Sequence, residues 1–268
     1  MQSRFEKKIW KSVKIILLIY ILAGCTLYFV QDLLLFHPTP LSADHKFAFA
    51  NEYKEHNIRL SDRNLNIIQF QSRVFAKGIV LYFHGNMQNI ERYAEFITPF
   101  INKSYEVWMV DYPGFGKSTG QLTEENINAD AILVYNMALK TKSENIIIYG
   151  KSIGTGVASY LASIKPCKQL ILETPYYSIP ELAQARVIVY PTALLTRYKF
   201  PIHEYLHKVK ARVTIFHGTD DGVIPYRHAM SLKNENQSIE FITIEGGSHN
   251  NLYQYDLYQR KLDSLISN

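Results

Sequence analysis

From Ile58 onward the chain alternates short β-rich apolar runs with longer amphipathic stretches. The runs are Ile58–Leu60, Leu65–Phe70, Gly78–Phe83, Val107–Asp111, Asn145–Tyr149, Gln169–Glu173, Arg212–His217 and Ile239–Ile244. Only Ser61-Asp62-Arg63-Asn64 separates the first two, which predicts a hairpin. Later runs such as Ile146-Ile147-Ile148 are continuously apolar, as strands covered on both faces of a parallel sheet are. Between them Ile90–Ile101, Thr123–Lys140, Ile153–Ile164, Tyr226–Asn234 and Asn251–Ile266 read as helices. This alternation predicts an α/β domain, one mostly parallel eight-stranded sheet with helices on both faces. On such a sheet the chemistry sits at the carboxyl ends of the strands.

The N-terminal pattern is different. Ile15 to Gln31 carries no charge and Asp32 closes the run, at the lower limit of length for a membrane-spanning helix. Arg4, Lys7, Lys8, Lys11 and Lys14 precede it, which predicts a cytoplasmic N-terminus and a body on the other side of the membrane. Tyr28 and Phe29 suit a membrane interface. Leu22-Ala23-Gly24-Cys25 also resembles the lipobox of bacterial lipoprotein signals, in which the cysteine is lipidated after cleavage. Against cleavage, the apolar run continues past Cys25 through Leu27-Tyr28-Phe29-Val30. An uncleaved helix and a lipidated Cys25 both remain open, and both keep the body outside the cytoplasm. Residues 1–32 are therefore expected to be the anchor or signal, 33–55 a connector broken by His37-Pro38-Thr39-Pro40, and 56–268 the functional domain. Leu33–Phe36, Phe47, Phe49 and Tyr53 need cover, so the connector is expected to pack on that domain.

Charge changes the picture by its location. The chain of 268 residues has a net charge of +5, and all but one unit of it lies in the first fourteen residues. The body is close to neutral, so a nucleic-acid partner is not expected. Two cysteines, Cys25 and Cys167, exclude a disulfide scaffold.

The strand at Asn145–Tyr149 runs into Gly150-Lys151-Ser152-Ile153-Gly154 and then a helical stretch, the context of a nucleophile elbow. Ser152 has to occupy a sharp, strained turn that lifts its hydroxyl above the sheet edge, and side chains at 150 and 154 would collide with neighbouring backbone. The partners follow in the order such elbows use, acid then histidine. Asp220 and Asp221 lie on the loop after Arg212–His217, and His249 lies on the Gly-rich loop after Ile239–Ile244. His249 would take the proton from Ser152 and return it to the leaving group, and the acid would fix the His249 tautomer. The amide of Ile153 supplies one oxyanion donor. The second is expected after Gly78–Phe83, from Asn86 in His84-Gly85-Asn86-Met87, with Met87 as the reserve.

These segments resemble a serine hydrolase of the α/β-hydrolase superfamily. The resemblance is to its small membrane-anchored branch, which includes α/β-hydrolase-domain depalmitoylases and bacterial relatives. It rests on His84-Gly85-Asn86, Asp111-Tyr112-Pro113-Gly114-Phe115-Gly116-Lys117-Ser118, Gly150-Lys151-Ser152-Ile153-Gly154, Glu173-Thr174-Pro175-Tyr176-Tyr177-Ser178, His217 to Pro225 and the His249 loop, over about residues 56 to 266. The family pattern of Asp, two variable residues, an aliphatic and Pro aligns Asp221 with Ile224-Pro225 and implies Asp221 as the acid. The resemblance further implies the α/β-hydrolase fold with a short lid between Ile179 and Lys210. It implies cleavage of a small-molecule or acylated ester, thioester or amide through acyl-Ser152, with no metal or organic cofactor.

Two other motifs compete. His203-Glu204-Tyr205-Leu206-His207 matches a zinc-protease signature, but Pro201 and the following strand leave room only for a short helix. Gly114-Phe115-Gly116-Lys117-Ser118 resembles a phosphate loop without its spacing, and reads as a turn. Among nineteen tyrosines, Tyr176, Tyr177, Tyr190 and Tyr198 fall around the lid, where they are candidates to line an acyl or aromatic pocket. A non-catalytic binding protein and a peptidase on the same fold are the alternatives to an esterase or thioesterase.

Overall fold

The computed structural model describes residues 2–141 and 145–267, apart from the side chains of 2–5; Arg4 of the basic cluster lies among those side chains. Eight strands form one sheet: β1 (Tyr53–Arg59), β2 (Asn64–Phe70), β3 (Gly78–Phe83), β4 (Tyr105–Val110), β5 (Ile146–Lys151), β6 (Gln169–Glu173), β7 (Arg212–Gly218) and β8 (Glu240–Ile244). Their order is β8-β7-β6-β5-β3-β4-β2-β1, and only β2 runs against its neighbours. β1 starts at Tyr53, earlier than its apolar end suggests. Its other residues alternate polar with half-buried ones, and it pairs with β2 along its whole length, Tyr53 opposite Phe70 and Arg59 opposite Asn64.

The central strands explain themselves by period-two packing. Leu81, Ile148, Leu170 and Val213 are in register across β3, β5, β6 and β7, and all belong to the core on one face. Val80, Tyr82, Ile147, Tyr149, Ile171 and Phe216 point to the other face. The first face is covered by α3 (Glu124–Leu139) and α4 (Gly154–Ile164). Thr123 caps α3, its side-chain oxygen accepting the Asn126 amide at 3.1 Å. The second face is covered by residues 90–102 and by α9 (Asp256–Ser267). Two expected helices are interrupted. Residues 90–102 break into two α-turns around a 3-10 stretch, Ala94–Ile97, because Pro99 has no N–H to continue the ladder. At the C-terminus, Asn251 spends its side chain on the Ser248 amide at 2.7 Å, and α9 begins only at Asp256.

At the N-terminus one helix, α1 (Gln2–Phe29), leads into α2 (Gln31–Leu35). The Glu6–Phe29 part is long and apolar enough to cross a membrane, and 6% of its most apolar window is buried. The connector is sewn onto the domain. His37–Pro38 pairs with Met87–Gln88, the Leu41 amide donates to Gly116 O at 2.7 Å, and Phe49 packs on Phe70 with centroids 4.9 Å apart. Between β6 and β7 the lid comprises α5 (Ile179–Gln184) and α6 (Thr192–Leu195), followed by α7 (Ile202–Leu206). After β7 comes α8 (Arg227–Glu235).

Strand order makes the site. β4 lies on one side of β3 and β5 on the other, so the chain reverses its winding at β3. The crevice at such a switch point lies beyond the carboxyl ends of the two strands. Here those ends carry His84–Asn86 and Ser152.

Candidate active site

Ser152 follows β5 directly, with φ of +53°, a left-handed conformation that costs a non-glycine residue free energy. Two anchors hold it there. Its amide donates to Glu173 O at 2.9 Å, and its carbonyl accepts the Thr155 amide at 2.9 Å. The flanking glycines are required by space. A Cβ on Gly150 would lie 2.7 Å from the Ala158 side chain, and one on Gly154 would overlap the carbonyl oxygens of Phe83 and His84. Beneath the turn Lys151 forms a buried ion pair with Glu173, whose carboxylate also accepts from the hydroxyls of Tyr149 and Tyr258. Burial alone would raise the Glu173 pKa, but the Lys151 charge and these hydrogen bonds outweigh it and hold Glu173 below the usual glutamate range.

The histidine and the acid meet Ser152 from two neighbouring loops. His249 Nε2 lies 2.9 Å from Ser152 Oγ, and His249 Nδ1 lies 2.8 Å from Asp221 Oδ2. A carboxylate only accepts, so Nδ1 carries the proton and Nε2 is left to accept from the Ser152 hydroxyl. The other oxygen of Asp221 accepts the amides of Val223 and Ile224, both at 2.8 Å. Burial works to raise the Asp221 pKa. The hydrogen bonds from His217 and His249, the His249 charge and the Ile224 amide overcome it and keep the carboxyl ionised well below the usual range. Asp220 is exposed and its carboxylate accepts from Thr219 Oγ1 at 3.2 Å, so the structure brings Asp221 to the histidine and leaves Asp220 outside.

Ile153 and Asn86 line the same cavity as Ser152. Among the described residues neither backbone N–H finds a protein acceptor. The Met87 amide, by contrast, donates to the Tyr93 hydroxyl at 3.4 Å. Asn86 is pinned from the connector: its side-chain amide donates to Leu35 O at 2.7 Å, and its carbonyl accepts the His37 amide at 2.8 Å. The cavity, about 500 Å³, runs from Ser152 between the foot of the N-terminal helices and the lid. Leu27, Leu34 and Leu35 line one wall, and Leu182, Val187 and Leu195 the other. A hydroxyl facing a hydrogen-bonded imidazole, two free N–H groups and an apolar slot form a place where a carbonyl can be attacked and its oxygen stabilised.

Sequence reading missed two contributors. His217 near the end of β7 is fully buried, donates from Nε2 to Ile224 O at 2.9 Å and lies 3.4 Å from Asp221 Oδ2, bracing the acid from behind. Its signal was faint: a histidine among apolar strand residues. The foot of the N-terminal helices as a pocket wall was foreshadowed only by the need to cover Leu33–Phe36. The lid tyrosines correct an expectation. Tyr176 lines the cavity, but Tyr177 stacks on His203 with centroids 4.1 Å apart, Tyr190 stacks on Tyr20, and Tyr198 donates to Asp32 at 2.8 Å. Those three rings are used by neighbouring side chains.

The remaining motifs have ordinary settings. His203 lies within the one-turn helix α7 and His207 caps its end; His203 stacks on Tyr177, whereas His207 Nε2 is 3.8 Å from Glu235. In the 114–118 turn Lys117 pairs with Glu55 at 2.8 Å and Ser118 Oγ accepts the Asn66 amide at 2.9 Å. Burial pushes the Cys167 thiol up to about 12, so it stays protonated at neutral pH.

A serine-histidine-aspartate arrangement on this sheet order is that of an α/β hydrolase, and comparison with known proteins agrees. Residues 75–201 match the family described as serine aminopeptidase, S33. The chain is 31% identical to α/β-hydrolase domain-containing protein 17B of Homo sapiens over 200 residues, covering 72% of this chain and 67% of that protein. It is 32% identical to protein 17C of Xenopus tropicalis over 200 residues, covering 72% and 62%. The chain thus spans about two thirds of the length of these relatives. Among solved structures an esterase of Pyrococcus furiosus superposes with a TM-score of 0.66 at 19% identity, over 86% of this chain and 96% of that one. The esterase Est1E of Butyrivibrio proteoclasticus, in complex with ferulic acid, gives 0.62 at 17% identity, over 79% and 96%. The chain belongs to the α/β-hydrolase superfamily, and it is a hydrolase.

Proposed function

We propose that this hydrolase is a membrane-anchored serine esterase or thioesterase. Ser152 Oγ attacks the acyl carbonyl carbon while its proton passes to His249 Nε2, and Asp221 stabilises the imidazolium. The oxyanion of the tetrahedral intermediate is held by the N–H groups of Ile153 and Asn86. Collapse expels the alcohol or thiol, which takes the proton from His249, and leaves acyl-Ser152. Water then attacks the acyl carbon, giving its proton to His249, and the carboxylic acid leaves as Ser152 regains the proton. The observation that carries this reading is the line of hydrogen bonds from Ser152 to His249 to Asp221 at 2.9 and 2.8 Å, with Ser152 lining the apolar cavity.

The basic N-terminal flank of the Glu6–Phe29 helix supports a domain on the non-cytoplasmic face. We take the helix as uncleaved. Gly24 and Tyr20, both ahead of the lipobox cysteine Cys25, pack against Tyr190 of the lid, and a Cβ on Gly24 would come within 2.9 Å of that ring.

A fluorophosphonate probe tests the reading, because it reacts only with an activated serine. The full chain is expected to label, and Ser152→Ala to lose labelling entirely with unchanged circular dichroism. A folded wild type that does not label would leave a binding protein on this fold as the better reading.

A further inference from the structure

The lid touches the N-terminal helix far from its base. The rings of Tyr20 and Tyr190 stack with centroids 4.4 Å apart and an interplanar angle of 11°. The Tyr20 hydroxyl donates to Val189 O at 2.9 Å, and the Tyr190 hydroxyl donates to the Tyr20 carbonyl at 2.8 Å. Tyr20 lies nine residues before Phe29, where α1 ends, so this contact stands roughly 13 Å along the helix at 1.5 Å per residue. A hydrocarbon core is about 30 Å thick. If α1 spans the bilayer, the tip of the lid lies within the near leaflet rather than above it.

The side chains around that contact suit hydrocarbon. Ile188 is 78% exposed, Val189 71%, Leu194 82% and Leu33 74%, a cluster around the helix that water leaves without cover. The polar side chains at the tip bond within the protein, the arrangement hydrocarbon favours. The two tyrosine hydroxyls are paired as above, and the Ile188 carbonyl accepts the Gln184 side chain at 3.1 Å. The charges beside the tip are engaged by the protein: Arg197 pairs with Asp32 at 2.6 Å, the Arg186 guanidinium donates to Val223 O at 2.7 Å, and the Lys199 ammonium donates to Ala193 O at 2.7 Å.

We propose that the lid tip, Ile188, Val189 and Leu194, is a bilayer-embedded surface continuous with α1. The apolar cavity between the lid and the helix foot then opens sideways into the leaflet and takes long acyl chains that reside there. This rests on the serine-hydrolase reading and adds to it the surface that meets the bilayer and the route by which an acyl chain enters. An acyl chain would slide between Leu27, Leu34 and Leu35 on one side and Leu182, Val187 and Leu195 on the other, and reach Ser152 without crossing water.

The test uses the full chain reconstituted in phosphatidylcholine vesicles, wild type against the double variant Ile188→Glu/Leu194→Glu. Both positions are surface-exposed and neither lines the cavity. Hydrolysis of water-soluble p-nitrophenyl acetate is expected to be the same in both, while hydrolysis of p-nitrophenyl palmitate carried in the vesicles falls at least tenfold in the variant. An unchanged palmitate-to-acetate ratio overturns the proposal, whereas absence of acetate turnover and of fluorophosphonate labelling in the wild type overturns the serine reading instead. A second measurement needs no activity. Tryptophan introduced by Ile188→Trp, in a Trp10→Phe background, is expected to be quenched by phosphatidylcholine brominated within its acyl chains, and a fluorescence indifferent to the bromines overturns the embedded lid.

Discussion

The nucleophile elbow and the lid face each other across one cavity, and they are held by different physics. At the elbow, residues 150–154 are fixed by backbone: the Ser152 amide on Glu173 O, its carbonyl on Thr155, and glycines whose Cβ positions are already occupied by main chain or by Ala158. Across the cavity, residues 179–199 are tied to the N-terminal helices by side chains, through Tyr20, Gln31 and Asp32. Backbone contacts over-determine a geometry and so suit atoms that must sit within a fraction of an ångström. Side-chain ties are few and singly weak, and they suit a wall that has to admit a substrate. On the proposed reading the same cavity has a rigid end for chemistry and an adjustable end for selection.

The sharpest test of the rigid end is at the acid, where two adjacent aspartates have opposite settings. Asp221→Asn leaves the volume unchanged but offers His249 Nδ1 an amide that can favour the wrong tautomer. Turnover is expected to fall on the order of 10³- to 10⁴-fold, for short and long esters alike. Asp220→Asn changes an exposed carboxylate that accepts from Thr219 Oγ1 and is expected to leave turnover near wild type. Steady-state kinetics on both variants decides it. Equal losses would mean that the fold, and not the tautomer, is what the acid loop supplies.

A smaller effect is expected on stability. Gly154→Ala drives a methyl into the carbonyls of Phe83 and His84, both main-chain atoms at the end of β3 that have no room to retreat. The variant is expected to lose roughly 1–3 kcal/mol, read as a lowered urea midpoint. Gly222→Ala, where nothing lies within 4 Å of the added carbon, is expected to stay within about 0.5 kcal/mol of wild type. Should the two behave alike, the elbow would be more compliant than its packing indicates.

That same division explains what could be read from the sequence. The eight strands and the Ser152, His249 and Asp221 loops were legible because each leaves a local mark: a continuous apolar run, a glycine on either side of a serine, an acid or histidine just past a strand. The broken helix at 90–102 was overcalled because its apolar spacing is helical while Pro99 interrupts the ladder. The walls of the cavity were not legible. Leu27, Leu34 and Leu195 are separated by up to 168 residues and meet where Gln31 bonds Leu195 O at 3.0 Å and the Arg197 amide at 2.7 Å. Nothing in the spacing of Tyr20 and Tyr190 announces that they stack. Pattern reading finds residues that a strand end or a turn brings together, and it misses those that only a packed lid does.

The smallest expected effect probes the adjustable end. Asp32 accepts from Arg197 at 2.6 Å and from the Tyr198 hydroxyl at 2.8 Å, holding the far end of the lid to the helix foot. The side chains of Arg197 and Asp32 are 33% and 40% exposed, so this latch is worth about 0.2–1 kcal/mol and weakens with salt. Asp32→Ala is therefore expected to leave global stability and Ser152 labelling intact while the amides of 179–199 exchange with deuterium up to about fivefold faster, the factor that 1 kcal/mol gives. Amides of β5 should not change, because the elbow borrows nothing from Asp32. Added salt should reproduce part of the effect in the wild type and little of it in the variant. Acceleration spread equally over the lid and β5 would show that the two ends open as one unit, and the separation of a rigid chemical wall from an adjustable selective one would fail.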